Sequence, residues 1–245
     1  MHPDPLEFLY RYDDIADREI VGLVASSLAY GGVKQILKSV SMVLEVLGRR
    51  PGRSLQETSP GAVKGALAGF KHRFTTGEDM AGLLAGAGRA IAKHGSLNDC
   101  FLAGMEAEPT VLEAMHRFAG EVTGLGGCSP DFLLPSTAKG SACKRLNLYL
   151  RWMVRADAVD PGGWRGVSPA ALIVPLDTHM YKTGLALGFT RRKSADIRTA
   201  LEVTEGFRLI APDDPVKYDF ALTRLGIREE SSLAEFLAGI EQAQG

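Results

Sequence analysis

The fold is decided by a short apolar run that ends in a carboxylate and opens a helix, Val174-Pro175-Leu176-Asp177-Thr178-His179-Met180-Tyr181-Lys182. An aspartate in this position caps the first-turn amide groups and lies at the positive end of the helix dipole. The apolar spacing predicts a helix over 177–188. Cations at or beyond its far end, among them Lys182 and Arg191, make Asp177 a candidate site residue that presents negative charge to a substrate cation.

Outward from this run, helical periodicity dominates and convincing strand alternation is absent. In the first half, caps and apolar stripes predict five helices over 17–31, 33–47, 59–70, 76–93 and 110–122. In the second half they predict helices over 141–155, 177–188, 194–208 and 213–225, and a last one from 231. Asp17, Ser59, the pair Thr76 and Asp79, and Ser194 supply the caps. We therefore expect an all-α fold of roughly ten to twelve helices.

One stretch is the best internal boundary, Gly124-Leu125-Gly126-Gly127-Cys128-Ser129-Pro130. Its glycines and its lack of apolar periodicity predict a loop. We expect one unit over 1–245 with a lobe boundary near 124–130, so that two helical lobes enclose a cleft.

Composition indicates a globular protein of the reducing compartment. At 245 residues and 45% hydrophobic content the chain is long enough to bury a sizeable core. Cys100, Cys128 and Cys143 are widely spaced and odd in number, which argues against a disulfide framework and a CxxC metal site. No apolar run is long enough to span a membrane, and His2-Pro3-Asp4-Pro5 is unlike a signal peptide. We expect a cytoplasmic monomer with no membrane segment, metal or cofactor.

Charge is distributed unevenly along the chain. The formal net charge is -1, but residues 139–198 carry eleven lysines and arginines against four aspartates, a net charge of +7. A local basic zone is typical of a surface that contacts a phosphate backbone. A solvated helical face is the alternative interpretation.

A second motif lies within this basic zone, Lys139-Gly140-Ser141-Ala142-Cys143-Lys144-Arg145-Leu146-Asn147-Leu148-Tyr149-Leu150. It reads as a glycine-bearing turn that enters a helix with Lys144 in the first turn. Such a turn presents backbone amides to an anion, and an adjacent lysine can reach a sugar or a phosphate. Lys144 with Asp177 then forms a candidate pair, in which an amine attacks a carbon that becomes cationic and a carboxylate stabilises that cation or relays the proton.

These motifs resemble the helix-hairpin-helix DNA glycosylases of the endonuclease III type. The segment 140–144 looks like their hairpin and its lysine, and 176–179 looks like their aspartate segment, which opens the next helix. The run 20–30 looks like their early apolar helix. The 33 positions from Lys144 to Asp177 are most similar to the archaeal 8-oxoguanine glycosylase branch. Much of the chain also looks like a bacterial family of unknown function.

The resemblance implies a DNA base-excision repair glycosylase that acts on an oxidised base such as 8-oxoguanine, and its lysine implies an associated AP-lyase activity. The implied partner is double-stranded DNA with a damaged base, which is flipped into a pocket between the lobes. Lys144 and Asp177 are the implied catalytic residues. The implied DNA-binding residues are Gly140, Ser141, Ala142, Arg145, Lys182 and Arg191.

Two alternatives stay open. The first is a non-catalytic nucleic-acid-binding protein of the same fold, because Ala142 replaces the second hairpin glycine and Tyr30 stands where a glutamine is usual. The near-zero net charge leaves room for a helical protein with no nucleic-acid role. Trp152 reads as core, His179 as a structural residue, and the acids of 213–219 as the start of a helix.

Overall fold

The computed structural model describes residues 2–107, 110–126 and 132–225. Its α-helices are α1 (Ile15–Ser27), α2 (Val33–Leu47), α3 (Pro51–Glu57), α4 (Pro60–Ala66), α5 (Gly77–His94), α6 (Leu97–Ala107), α7 (Val111–Gly126), α8 (Lys144–Val154), α9 (Thr178–Ala186), α10 (Ile197–Arg208) and α11 (Asp219–Leu225). Short 3-10 helices cover Pro5–Arg11, Thr137–Lys139 and Pro169–Ala171. The prediction of an all-α fold is confirmed. Within the described ranges, none of the helices has the length and apolar character needed to cross a bilayer.

One small sheet interrupts the helices. Strands β1 (Lys71–His72) and β2 (Thr75–Thr76) pair antiparallel, with Lys71 opposite Thr76 and His72 opposite Thr75. The sequence did not predict this hairpin, since two residues per strand are too few to show an alternating pattern.

The buried core is contiguous across both halves of the chain. α5 packs on α6 and α7, while α1 from the first half packs on α8 from the second. Gly22 allows this approach, because a β-carbon there would lie 3.1 Å from the Tyr149 ring. The Tyr149 hydroxyl donates to the Glu19 carbonyl at 3.1 Å. Helix α1 therefore packs against helices of both halves of the chain.

A buried carboxylate ties α1 to the start of α6. Glu19 accepts hydrogen bonds from the Leu97 and Asn98 amides at 3.1 and 2.8 Å. Burial raises the pKa of the Glu19 carboxyl, although these two amides act in the opposite direction. The same helix start also has a local cap, since the Asp99 amide donates to the Ser96 hydroxyl at 2.9 Å, but the sequence analysis did not predict α6.

Several first-half boundaries differ from the sequence predictions. α1 is capped by Asp14, whose Oδ1 accepts from the Ala16 amide at 2.9 Å, rather than by Asp17. Asp17 instead accepts from the Gly52 amide at 2.8 Å and so fixes the start of α3, which was not predicted. α4 ends at Ala66, before the hairpin, and not at residue 70. The helix at 33–47 and the capping box at Thr76 are confirmed.

Second-half boundaries shift for similar reasons. The predicted loop at 124–130 begins inside α7, which runs to Gly126, and its remaining part falls largely outside the described residues. α8 begins at Lys144, not at 141. Asp196, not Ser194, caps α10 and accepts from the Thr199 amide at 3.0 Å. The helix predicted from 231 lies outside the described residues.

Candidate functional site

Asp177 is held at the N-terminus of α9 by its own capping bond. Its Oδ1 accepts from the Met180 amide at 2.8 Å. The preceding run is anchored in the core, where Val174 and Leu176 are buried and the Val174 amide donates to the Thr204 hydroxyl at 3.0 Å. One carboxylate oxygen therefore satisfies the helix, and the other is left for a partner.

That partner is Lys144. Its Nζ lies 3.8 Å from Asp177 Oδ2 and also donates to the Ala29 carbonyl at 3.5 Å. Lys144 is the first residue of α8 and follows Cys143, whose backbone is left-handed with φ of 47°. The lysine side chain is 35% exposed and the aspartate side chain 17%, so the amine is accessible while the carboxylate is mostly shielded. Two helix N-termini thus converge on one point.

Both side chains line a single cavity of about 470 Å³. The cavity lies between the N-terminal segment, the α1–α2 junction and helices α8, α9 and α11. Its lining residues are Pro3, Asp4, Pro5, Ala29, Tyr30, Gly31, Val33, Ile36, Lys144, Leu148, Arg151, Trp152, Pro175, Asp177, His179, Asp219, Phe220, Thr223 and Arg224. The volume is typical of a small-molecule or nucleotide-base pocket.

The cavity wall carries both signs of charge. Its carboxylates are Asp4, Asp177 and Asp219, and its cations are Lys144, Arg151 and Arg224. Burial raises the pKa of the Asp4 carboxyl, although the Leu6 amide donates to its Oδ1 at 2.9 Å. In the part of the chain that the structure describes, no group of three or more metal-ligating side chains is placed to hold an ion. The polar wall therefore suits a polar organic ligand.

A buried ion-pair network supports the α8–α11 side of this wall. Arg151 pairs with Asp160 at 3.0 Å and with Asp219, and both Arg151 and Asp219 are less than 5% exposed. Arg155 pairs with Asp160, and its Nε lies 2.9 Å from a carboxylate oxygen of Asp214. Asp214 and Asp219 are therefore ion-pair partners, and α11 begins at Asp219, not at residue 213.

This network also revises the interpretation of the basic zone. Two of the eleven cations counted over 139–198 are buried and neutralised by aspartates, and two more, Lys144 and Arg192, pair with Asp177 and Asp196. The Arg192 pair, at 2.8 Å, lowers the pKa of Asp196. The net charge of +7 already subtracts the aspartates within 139–198, but Asp214 and Asp219 lie outside that segment and pair with Arg155 and Arg151, so the count overstates the local charge by two.

The predicted phosphate-binding turn is partly closed. The Gly140 amide donates to the Thr137 carbonyl at 2.9 Å, and the Cys143 amide donates to the Ser141 hydroxyl at 3.1 Å. The Gly140 carbonyl accepts from the Ile197 amide at 3.1 Å, Ser141 bridges to Asp196, and Ala142 is only 8% exposed. The expectation that this turn presents its amides to an anion is wrong for Gly140, because a local hydrogen bond to Thr137 occupies that amide.

The three predicted basic contacts differ in position. Lys182 and Arg191 are exposed. Arg145 points inward, donates to the Ser27 carbonyl at 3.1 Å and to the Phe132 carbonyl, and is only partly exposed. Burial lowers its pKa to about 10. None of the six predicted DNA-binding residues is among those that line the cavity.

Comparison with known families places the chain. The model of a family described as a protein of unknown function, DUF2400, matches residues 4–228. The chain belongs to this family. No curated protein and no solved structure matches it. Since the family description names no activity, the function of this DUF2400 member has to be argued from its site.

Sequence reasoning missed several residues of that site. Asp4, Asp219, Phe220 and Arg224 line the cavity, and none of them was a predicted site residue. Asp4 could have been found as the N-cap before a proline, which is its position in the 3-10 helix Pro5–Arg11. Trp152 is buried, as expected of a core residue, and His179 lines the cavity beside Asp177.

Proposed function

We propose that this protein is a DNA base-excision glycosylase with an associated AP-lyase step, acting on an oxidised base such as 8-oxoguanine. One observation carries the proposal: the Lys144 amine and an Asp177 carboxylate oxygen lie 3.8 Å apart on the wall of one cavity. An amine beside a carboxylate at a base-sized pocket is the arrangement that covalent catalysis at a sugar carbon requires.

The chemistry proceeds in balanced steps. Asp177 accepts a proton from the Lys144 ammonium, and the freed amine attacks C1′ of a nucleotide whose base occupies the cavity. The N-glycosidic bond breaks, and the base leaves with the bonding electrons and takes up the proton that Asp177 received. The restored Asp177 carboxylate stabilises the positive charge that develops on the sugar in this step.

The lyase step follows from the same covalent bond. Opening of the sugar ring transfers a proton to the ring oxygen and gives a Schiff base between C1′ and Lys144. Loss of a C2′ proton then breaks the C3′–oxygen bond and releases the strand that carries the phosphate. Water hydrolyses the imine and restores the amine.

The exposed cations suit a contact with flanking phosphates. Lys182 and Arg191 lie on and just beyond α9, the helix that Asp177 opens, and have no ion pair among the described residues. Contacts of this kind position a duplex without reading its sequence. Binding to DNA is therefore expected to weaken with salt.

The direct test is reductive trapping. Duplexes with 8-oxoguanine, uracil or an oxidised pyrimidine are incubated with the protein and borohydride, and covalent adducts are counted on a denaturing gel. We expect an adduct with at least one lesion, its loss in Lys144→Gln, and its retention in Lys93→Gln, a matched lysine that pairs with Glu121 at 2.5 Å outside the cavity. The absence of an adduct and of base release on every lesion would falsify the proposal.

A second candidate is a nucleic-acid-binding protein without catalysis, which is motivated by Ala142 in place of the second hairpin glycine. In that case binding falls steeply with salt, and Asp177→Asn leaves it intact or tighter while no variant changes base release. Loss of activity in Asp177→Asn argues for the enzyme. If the wild-type protein shows no salt-dependent DNA binding, both candidates are wrong and the protein has no nucleic-acid role.

A further inference from the structure

The β1–β2 hairpin presents an exposed aromatic side chain from a rigid base. The two residues at its turn are Arg73, with a left-handed φ of 51°, and Phe74, which is 72% exposed. The flanking residues His72 and Thr75 are buried. The turn is therefore held outward by its own strands.

Tyr30 locks this hairpin to the cavity wall. Its hydroxyl donates to the His72 carbonyl at 2.7 Å and accepts from the Thr75 hydroxyl at 2.7 Å. The His72 ring donates from Nε2 to the Tyr30 carbonyl at 3.0 Å and accepts at Nδ1 from the Ser39 hydroxyl at 2.9 Å. The position of Phe74 is thus fixed by hydrogen bonds on both sides of the turn.

A second exposed aromatic from a distant segment completes the surface. Phe132 is 45% exposed, and its ring packs edge to face against Phe74 at 6.0 Å and against Tyr30 at 5.1 Å. The guanidinium of Arg145 lies 4.6 Å from the Phe132 ring centre, and that of Arg73 lies 5.6 Å from the Phe74 ring centre. We call Arg73, Phe74, Phe132 and Arg145 the aromatic shelf.

The shelf is positively charged. Among the described residues, neither Arg73 nor Arg145 has a carboxylate partner, and the polar contacts of Arg145 are backbone carbonyls. Exposed aromatic rings beside unneutralised arginines match a ligand with a flat π-face and an attached anion. An apolar peptide would supply no anion to either guanidinium group, so it fits less well.

The shelf borders the cavity directly. Tyr30 and Gly31 line the cavity, and the Arg73 side chain crosses Gly31 so closely that a β-carbon there would lie 2.8 Å from Arg73 Cδ. Lys144 and Arg145 are consecutive in α8 and both hydrogen-bond to the segment at the end of α1. Lys144 donates to the Ala29 carbonyl and Arg145 donates to the Ser27 carbonyl. A strand with one nucleotide in the cavity can therefore continue over the shelf.

We propose that the aromatic shelf binds an unpaired nucleobase next to the nucleotide in the cavity, by stacking on Phe74 and Phe132 and by phosphate contact with Arg73. The protein thereby prefers single-stranded or locally unpaired nucleic acid to fully paired duplex. This inference rests on the proposed function, because it assumes that the cavity takes a nucleotide.

The test measures binding and stacking without catalysis. The probe is a short single-stranded oligonucleotide with 2-aminopurine beside a tetrahydrofuran abasic analogue, and the readouts are affinity by anisotropy and quenching of 2-aminopurine fluorescence. We expect quenching by the wild-type protein, and a loss of quenching with affinity weaker by about five- to a hundredfold in Phe74→Ala and Phe132→Ala. Phe74→Tyr keeps an aromatic ring and should retain wild-type affinity and quenching. Leu209→Ala removes an 89% exposed leucine outside the shelf and should change neither.

Three outcomes would overturn the inference: unchanged affinity and quenching in both alanine variants, tighter binding to a fully paired duplex than to the single strand, or a wild-type dimer in sedimentation that Phe74→Ala dissociates. The trapping assay separates this inference from the proposed function. If the wild type forms an adduct but the Phe74→Ala and Phe132→Ala variants bind and quench normally, only the shelf is refuted. If binding depends on the shelf but neither an adduct nor base release is seen on any lesion, only the enzyme is refuted.

Discussion

Arg151 and Asp219 form a buried ion pair in the wall of the cavity, joining α8 to α11. Each side chain is less than 5% exposed, and Arg151 also pairs with Asp160. A charge in such a position is tolerated only while its partners remain, because water cannot solvate it. The stability of the cavity wall therefore depends on Asp160, nine residues from Arg151, and on Asp219, which is 68 residues away in sequence.

We predict that Asp219→Asn lowers the free energy of unfolding by about 3–5 kcal/mol, the usual cost of leaving a buried charge without its partner. Urea denaturation followed by circular dichroism measures this change. The matched control is Glu57→Gln in the exposed Arg53–Glu57 pair, which spans 2.7 Å. Because surface pairs contribute little, that control should change stability by less than about 1 kcal/mol. Equal losses of stability in the two variants would show that the buried Arg151–Asp219 pair contributes no more than an exposed one.

Asp177 has two separable roles, as a helix cap and as a charged group. Asp177→Asn retains a side-chain oxygen for the Met180 amide, whereas Asp177→Ala removes it. We expect the alanine variant to lose about 1 kcal/mol of stability relative to the asparagine variant. Thermal denaturation compares the two, and base release should be lost in both if the charge is the reactive feature. Activity retained in Asp177→Asn would assign the residue to capping alone.

His72 makes stability depend on pH. Burial lowers the pKa of its imidazole from the usual value near 6.5, so the folded protein favours the neutral ring. The unfolded chain takes up the proton first as pH falls, so this contribution to stability is present above about pH 6.5 and is lost below it, by at most about 1.4 kcal/mol per pH unit. Urea denaturation at pH 7 and pH 5 should show a smaller loss in His72→Asn than in the wild type.

The control for this prediction is His2→Asn, because the His2 side chain is 75% exposed and contacts only Glu7 in the described structure. Its pH dependence should match that of the wild type. If His72→Asn keeps the full wild-type slope between the two pH values, other groups cause the acid sensitivity.

Substitution by alanine at two glycines should change the stability of the protein in opposite directions. A β-carbon at Gly77 would lie 1.7 Å from the Leu67 carbonyl oxygen, so the backbone has to shift. We expect Gly77→Ala to cost about 1–3 kcal/mol or more. Gly65 lies in α4 with nothing within 4 Å of the same position, and Gly65→Ala should stabilise by about 0.5–1 kcal/mol. Differential scanning calorimetry tests both, and destabilisation by Gly65→Ala would contradict the stated cause.

Local signals predicted much of the fold. The apolar stripe of α2, the Thr76 capping box and the aspartate that opens α9 all lie within a few residues of the structure they specify. Some boundaries were wrong because a polar residue bonds a distant segment, as Asp17 does at the start of α3 instead of capping its own helix. Others were wrong because several neighbouring residues can cap one helix, and Asp14 and Asp196 are the ones that cap α1 and α10.

The sequence by itself determined the helical class of this protein, the cap at Asp177 and the first-turn position of Lys144, because helix periodicity and capping are local properties of the chain. Only the tertiary structure decided that Lys144 and Asp177 meet, that Asp4 and Asp219 share their cavity, and that Phe74 and Phe132 form one surface. The same holds for the cations of the basic zone, of which Arg151 and Arg155 are buried against aspartates. Contacts between distant segments depend on how helices pack, and charges depend on which partner packing provides, so neither can be read from spacing along the chain.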